Sequence, residues 1–207
     1  LRLVGRFLGG SKNSIKALAP TLRAVSGRSA RVLDVGAGGG DFGIDLVQWG
    51  GDQRIQVEVE AVDLNPAAVA YAERVAAGTL PPHLLPRLTL DVADALRLPY
   101  ADDSFDAAHA GLFLHHFDDQ VAIRLLAELK RVARVVVVND LHRHALAYRS
   151  IDLIARLTRA SEMFRKDAPH SVARGFTRAD LESLAQRAGL DAEVSWRWAF
   201  RWILVDR

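Results

Sequence analysis

The sequence predicts an α/β domain built on a mainly parallel sheet, and three observations carry that prediction. Strand-like apolar runs alternate with amphipathic helical stretches through most of the chain. The run ARVVVVNDL at 133–141 is almost continuously apolar, as a central parallel strand buried on both faces should be. The first strong strand, RVLDVG, runs directly into a glycine-rich loop, and sheets of this kind bind ligands beyond the carboxyl ends of their strands.

The elements follow in order. Residues 13–26 place Ile15, Leu18, Leu22 and Val25 at helical spacing, with Pro20 predicting a kink or a split. After the glycine loop, 41–49 form a helix that opens on Asp41, where the helix dipole favours an acid. IQVEVEAVDL at 55–64 is the second strand. The helix over 65–78 has Asn65 as its cap, Pro66 at its first position and Gly78 as its close. RLTLDVADA at 87–95 is the third strand, and 104–117 hold a fourth strand and the loop after it. Residues 118–131 form an amphipathic helix, and 145–160 are helical. In the helix over 177–188, Thr177 and Asp180 have the spacing of a capping box. The tail at 192–207 reads as a two-stranded hairpin. Within it Trp196, Trp198, Phe200 and Trp202 alternate, which predicts one shared face packed against helices.

The chain of 207 residues suits a single domain over 1–207 and can bury a full core. The net charge of +2 comes from scattered arginines, not a basic stripe, so no nucleic-acid partner is expected. The lack of cysteine excludes disulfides, thiolate nucleophiles and cysteine-ligated zinc; no metal is expected, and a cytoplasmic location is. No apolar run approaches the ~20 residues of a membrane span, and no signal peptide is visible.

The chemistry centres on VLDVGAGGGDFG at 32–43. Gly38, Gly40 and Gly43 satisfy the dinucleotide pattern G-x-G-x-x-G, but the triplet starts two residues after the turn begins at Gly36. A phosphate loop would need a following Gly-Lys-Ser/Thr, which is missing. Asp34, at the strand end, would repel a pyrophosphate and suits an ammonium or sulfonium. An adenosine ligand with a cationic amino-acid tail, S-adenosyl-L-methionine, fits that pattern; the plainer alternative is that Asp34 only bonds loop amides. Asp63 lies about 20 residues past the loop, where a carboxylate takes ribose hydroxyls, a feature shared with nicotinamide dinucleotide sites. Asp94 can accept from an adenine amine while Ala95 offers its backbone amide; alone, Asp94 would read as a turn residue.

VLDVGAGGGDFG, AVDLNP, VADALRLPYADDSFDAAHA and LHHF occur in the order and at the spacing of class I S-adenosylmethionine-dependent methyltransferases. The chain resembles that family over about residues 30 to 140, and LPYADDSFD resembles its ubiquinone and menaquinone methyltransferase branch. The resemblance implies a Rossmann-like, seven-stranded sheet of order 3-2-1-4-5-7-6 with the last strand antiparallel. It also implies that Gly36, Gly38 and Gly40 hold the methionine part, Asp63 and Leu64 the ribose, Asp94 and Ala95 the adenine, and that His109 lines the cofactor from the other side. The tail, with NDLHRH and WAFR, is similar to small bacterial methyltransferases of natural-product pathways, which would imply O-methylation of a phenolic or similar small molecule.

Two polar clusters then face the acceptor: His115 and His116 after the fourth strand, and Asn139, Asp140, His142 and His144 after the fifth. His116, His115 or His142 would serve as general base, since histidine titrates near pH ~6.5. Methyl transfer also proceeds by holding the reactants in line, so a base is not obligatory. Segment 141–176 is long for a connection and carries Leu146, Ile151, Leu153, Ile154 and Leu157 at helical spacing. It reads as core or as a helical lid over an apolar acceptor, with Phe164, His170 and Arg174 reaching in. A homodimer is compatible with this reading. The competing functions are an NAD(P)-dependent oxidoreductase, which Asp34 opposes, and a non-catalytic cofactor-binding member.

Overall fold

A computed structural model describes residues 10–144 and 173–207. Seven strands form one sheet in the order β3-β2-β1-β4-β5-β7-β6. These are β1 (Ala30–Val35), β2 (Val57–Asp63), β3 (Leu88–Val92), β4 (Phe105–Gly111), β5 (Ala133–Leu141), β6 (Ala192–Arg197) and β7 (Arg201–Asp206). β1 to β5 pair in parallel, and β7 runs antiparallel to both β5 and β6. Strand order reverses at β1, whose two neighbours are β2 and β4, so the crevice for a ligand opens beside the loop that follows β1.

Alternation along the strands sorts side chains to two faces. One face (Val32, Ala107, Val137, Ile203) packs against Leu18 and Leu22 of α1 (Gly10–Ala24) and Ile44 and Leu46 of α2 (Asp41–Gln53). Ala76 of α3 (Pro66–Thr79) joins that layer. The other face (Leu33, Ala108, Val136, Leu204) packs against Leu125 and Leu129 of α4 (Asp119–Val132) and Leu181 and Leu184 of α5 (Arg178–Arg187). β5 is buried at nearly every position, which accounts for its continuous apolar run.

Helix signals in the sequence act where they were expected, with shifted ends. Asn65 caps α3 by accepting from the Ala67 amide, but Gly78 lies inside the helix, which runs on to Thr79. Asp118 stands outside α4 and caps it through the Val121 amide. Thr177 and Asp180 close a reciprocal capping box on α5. Pro20 sits within α1 without dividing it.

The aromatic tail differs from its expectation. The hairpin reverses at 198–200, so Trp196 and Trp202 face each other across β6 and β7, while Trp198 projects from the turn and is 69% exposed. The period of two breaks because a turn falls in its middle. The helix expected over 145–160, the lid residues, Phe164 and His170 lie outside the described residues.

Candidate active site at the carboxyl edge of the sheet

The loop after β1 turns on glycines that adopt left-handed backbone angles: φ is +68° at Gly36, +52° at Gly38 and +73° at Gly40. At Gly36 any side chain would also collide with the Phe113 ring. At Gly38 the space beyond the backbone is open, with nothing within 4 Å of a virtual Cβ. The loop therefore leaves room for a ligand to approach its main chain, and it ends in α2, whose first turn carries Asp41.

Asp63 closes β2 beside this loop. Its Oδ2 accepts from the Gly38 amide at 2.9 Å and its Oδ1 from the Asn65 amide at 2.9 Å. Each oxygen keeps a lone pair, so the carboxylate is oriented by the backbone and still open to hydroxyl donors. Leu64, the next residue, is 69% exposed, and Val92 and Leu112 are also exposed at the same edge, leaving apolar surface around the crevice. Asp94 lies past the end of β3, where its Oδ1 accepts from the Leu96 amide at 2.9 Å, while the Ala95 side chain joins the core. Asp94 does hold a turn; like Asp63, it retains accepting capacity.

Asp34 has a partner that the sequence left unassigned. It is 2% exposed, and its Oδ1 lies 2.8 Å from Nδ1 of His109, its register neighbour on β4. His109 Nε2 lies 2.9 Å from Ser14 Oγ, and Asn139 Nδ2 donates to the same oxygen at 2.9 Å. The chain closes for a neutral ring when Ser14 donates to Nε2 and Nδ1–H donates to Asp34. Phe42 of α2 stacks on the ring at 3.6 Å. His109 is thus a buried strut with both nitrogens engaged, not an exposed wall of the crevice: β4 continues past it to Gly111, so it points into the α1–α2 layer. It fixes the acid beneath the glycine loop.

The second cluster divides in the same way. Asn139 and Asp140 lie within β5, and both are buried, so neither stands after the strand as expected. Asp140 accepts from His115 Nδ1 at 2.7 Å and from the Leu141 amide at 2.7 Å. His115, also buried, sits in a 3-10 turn at Leu114–His116. With Nδ1–H held by the carboxylate, Nε2 is the basic atom of the ring.

The His116 ring lies beside that of His115, 4.2 Å between centroids and tilted by 39°, but His116 is exposed. Partial burial lowers its pKa, His115 and Arg174 lower it further, and Asp140 opposes them. Arg174, itself exposed, therefore reaches the field of this cluster. His142 and His144 form an aromatic group with Phe200 and Trp202, and burial lowers the His142 pKa. Trp202 donates to the Phe176 carbonyl at 3.0 Å, tying the hairpin to the segment before α5.

Ser14 and Arg201 were not among the expected site residues. Ser14 gave no local signal, because its partners are 95 and 125 residues away. Arg201 did give one: a charge in RWILVD, on the face that Ile203 and Val205 make apolar.

The donor set suits an adenosine ligand carrying a positive charge and no phosphate. Among the described residues no cluster of histidine and carboxylate ligands is arranged for a metal ion. No helix among them is long and apolar enough to cross a membrane.

A sequence profile described as a methyltransferase domain matches residues 32–135. An O-methyltransferase, resE, from Aspergillus sclerotiorum is 30% identical over 120 residues, covering 58% of this chain and 42% of that protein. A demethylmenaquinone methyltransferase from Roseiflexus sp. (strain RS-1) is 34% identical over 105 residues, covering 51% of this chain and 39% of that one. The chain spans about two fifths of the length of these curated relatives. Among solved structures, an S-adenosylmethionine-dependent methyltransferase from Aquifex aeolicus superposes with a TM-score of 0.67 at 17% identity, over 98% of this chain and 92% of that one. The magnesium protoporphyrin IX methyltransferase of Synechocystis PCC 6803, solved with S-adenosylhomocysteine bound, gives 0.63 at 17% identity, over 94% and 81%. At these identities the structures share the fold.

Proposed function

The chain belongs to the class I S-adenosylmethionine-dependent methyltransferase family, and from that premise we propose that it methylates an oxygen of a small organic acceptor. One observation carries the choice of chemistry: the His115–Asp140 pair, joined at 2.7 Å at the carboxyl ends of β4 and β5. When bound, S-adenosylmethionine supplies an activated methyl group on a sulfonium.

The chain's own residues do the rest. Asp63 holds the ribose hydroxyls, with Leu64 beside them, and Asp94 and the Ala95 amide meet the adenine. Gly36, Gly38 and Gly40 let the methionine part lie against the main chain. Asp34, fixed by His109, places a negative charge below the cationic end of the cofactor. His115 Nε2 is placed to take the proton of the acceptor hydroxyl as that oxygen is methylated; the cofactor would supply the methyl group from its sulfonium and would leave as S-adenosyl-L-homocysteine. Asp140 holds the His115 ring in the tautomer this needs and stabilises the imidazolium that results. His116, whose pKa is lowered, stays neutral beside it and lines the acceptor space with Arg174 and His144.

The similarity to a demethylmenaquinone methyltransferase favours a second reading, in which the same pair deprotonates a quinol hydroxyl and a ring carbon takes the methyl. Incubation with labelled S-adenosylmethionine and phenolic, quinol and carboxylic acceptors separates the two by the position of the label. With the acceptor so found, His115→Gln is expected to lower kcat by about 10²-fold, the lower end for general base catalysis. Asp140→Asn should lower it as well, with S-adenosylhomocysteine affinity unchanged in both. An unchanged kcat in His115→Gln removes the base from the account.

A further inference from the structure

The carboxyl edge holds polar atoms that the reaction above leaves unused. Arg201 opens β7, is 3% exposed, and has no hydrogen-bond partner at Nε or Nη1 among the described residues. Asn139 Oδ1 is buried and unpartnered as well. The register sets Arg201 opposite Leu141 and Ile203 opposite Asn139. Residues two apart on a strand share a face, so Arg201 and Asn139 are diagonal neighbours on the face where Ile203 packs, toward α1. The Asn139 amide is held one way round, because its Nδ2 donates to the Gly10 carbonyl, which can only accept.

The charge that acts on Arg201 is Asp140. That carboxylate is already committed: Oδ1 accepts from the His115 ring and the Leu141 amide, and Oδ2 from the His115 amide. A guanidinium does not lose its proton in a protein. Two buried guanidinium N–H groups without an acceptor are costly, and the committed Asp140 oxygens do not fill that need, so this position suits a further oxygen acceptor.

We propose that Arg201 anchors a carboxylate-binding subsite for the methyl acceptor, which is then a hydroxy-bearing carboxylic acid with its acid end on Arg201 and its reacting hydroxyl at His115. This rests on the methyltransferase reading. Arg201 and Asp140, the residue that orients His115, lie on adjacent strands and face opposite sides of the sheet, so such an acceptor reaches both by lying across the carboxyl edge. Asn139 Oδ1 can only accept, so it does not bind the carboxylate itself. The cofactor's own carboxylate has the same chemistry, and the test separates the two sources.

The probes are 2-hydroxybenzoate and its neutral counterpart 2-hydroxybenzamide, titrated calorimetrically into the protein with and without saturating S-adenosylhomocysteine. Wild type is expected to bind the acid at least about tenfold more tightly than the amide, the scale of a charge-assisted pair. Arg201→Gln should bind the two alike while keeping wild-type affinity for S-adenosylhomocysteine. Equal binding of acid and amide by wild type, or binding of neither, overturns the proposal without any variant. Loss of S-adenosylhomocysteine affinity in Arg201→Gln overturns the acceptor assignment and gives the site to the cofactor. Failure of wild type to bind S-adenosylhomocysteine at all sinks the methyltransferase reading instead, and the acid-over-amide preference measured without it still decides the subsite.

Discussion

His115 and His116 are adjacent in sequence and opposite in surroundings. One is buried with Nδ1 on Asp140; the other is exposed, with its charged form disfavoured by partial burial and by His115 and Arg174. No pattern in LHHF could rank them, because the ranking comes from Asp140, 25 residues away on another strand. The same holds for Asp34: its position at the strand end was legible, but His109 and Ser14, which hold it, are set by the packing of β4 and α1. His116 also gives stability a pH dependence. Its folded pKa is lowered, so the unfolded chain binds the proton first as pH falls below about 6.5. The contribution is complete above that value and is lost as pH falls toward the lowered folded value. His116→Gln should therefore flatten the fall in melting temperature between about pH 7.5 and about pH 5. An equally steep fall in the variant would assign the loss to other groups.

At the scale of elements, local signals worked where the local chemistry is complete in itself. Asn65 with Pro66, and Thr177 with Asp180, each mark a helix start, because a side chain within three residues satisfies an amide the helix leaves free. Thr177→Ala should lower stability by about 1 kcal/mol, read by denaturant titration, with no change in cofactor affinity. A loss within error of zero would mean that the packing of Leu181 and Leu184, not the capping box, sets the start of α5. The ends of helices and the hairpin were less legible. Gly78 is an ordinary interior residue of α3, and the alternation of Trp196 to Trp202 spans a turn. Composition marks such positions as permissive, while the contacts that decide them come from other elements.

Across the whole molecule the two edges of the sheet are built differently. At the amino edge polar groups are matched. Asp106 accepts from both ends of the Arg28 guanidinium and from the Arg31 amide, and Arg131 ties Glu128 and Asp102 to the Leu98 and Tyr100 carbonyls. The Arg28 hydrogen bonds hold the Asp106 carboxyl below the usual carboxylate range. That stability is present above about pH 3.9 and lost as pH falls through the lowered value. Asp106→Asn should lower the melting temperature at neutral pH, with the gap to wild type closing in acid. A constant gap would assign the loss to shape, not charge. At the carboxyl edge, by contrast, sit Asn139, His142 and Arg201, the residues with buried unpartnered polar atoms among those described. The alternation of strand and helix and the glycine loop were readable because periodicity and φ requirements are local, while the strand order was what the family resemblance implied. The matched and unmatched charges were not, since each depends on strands brought together by topology.

The central claim is that the crevice beside the loop after β1 holds the cofactor. A crystal structure of the protein with S-adenosylhomocysteine tests it most directly. The ribose hydroxyls should lie on Asp63, the amino-acid end over Gly36 and Gly38 above Asp34, and the thioether should turn toward the His115 side of the edge. Adenosine bound elsewhere, or a diphosphate-bearing dinucleotide that displaces S-adenosylhomocysteine from that crevice, would contradict it.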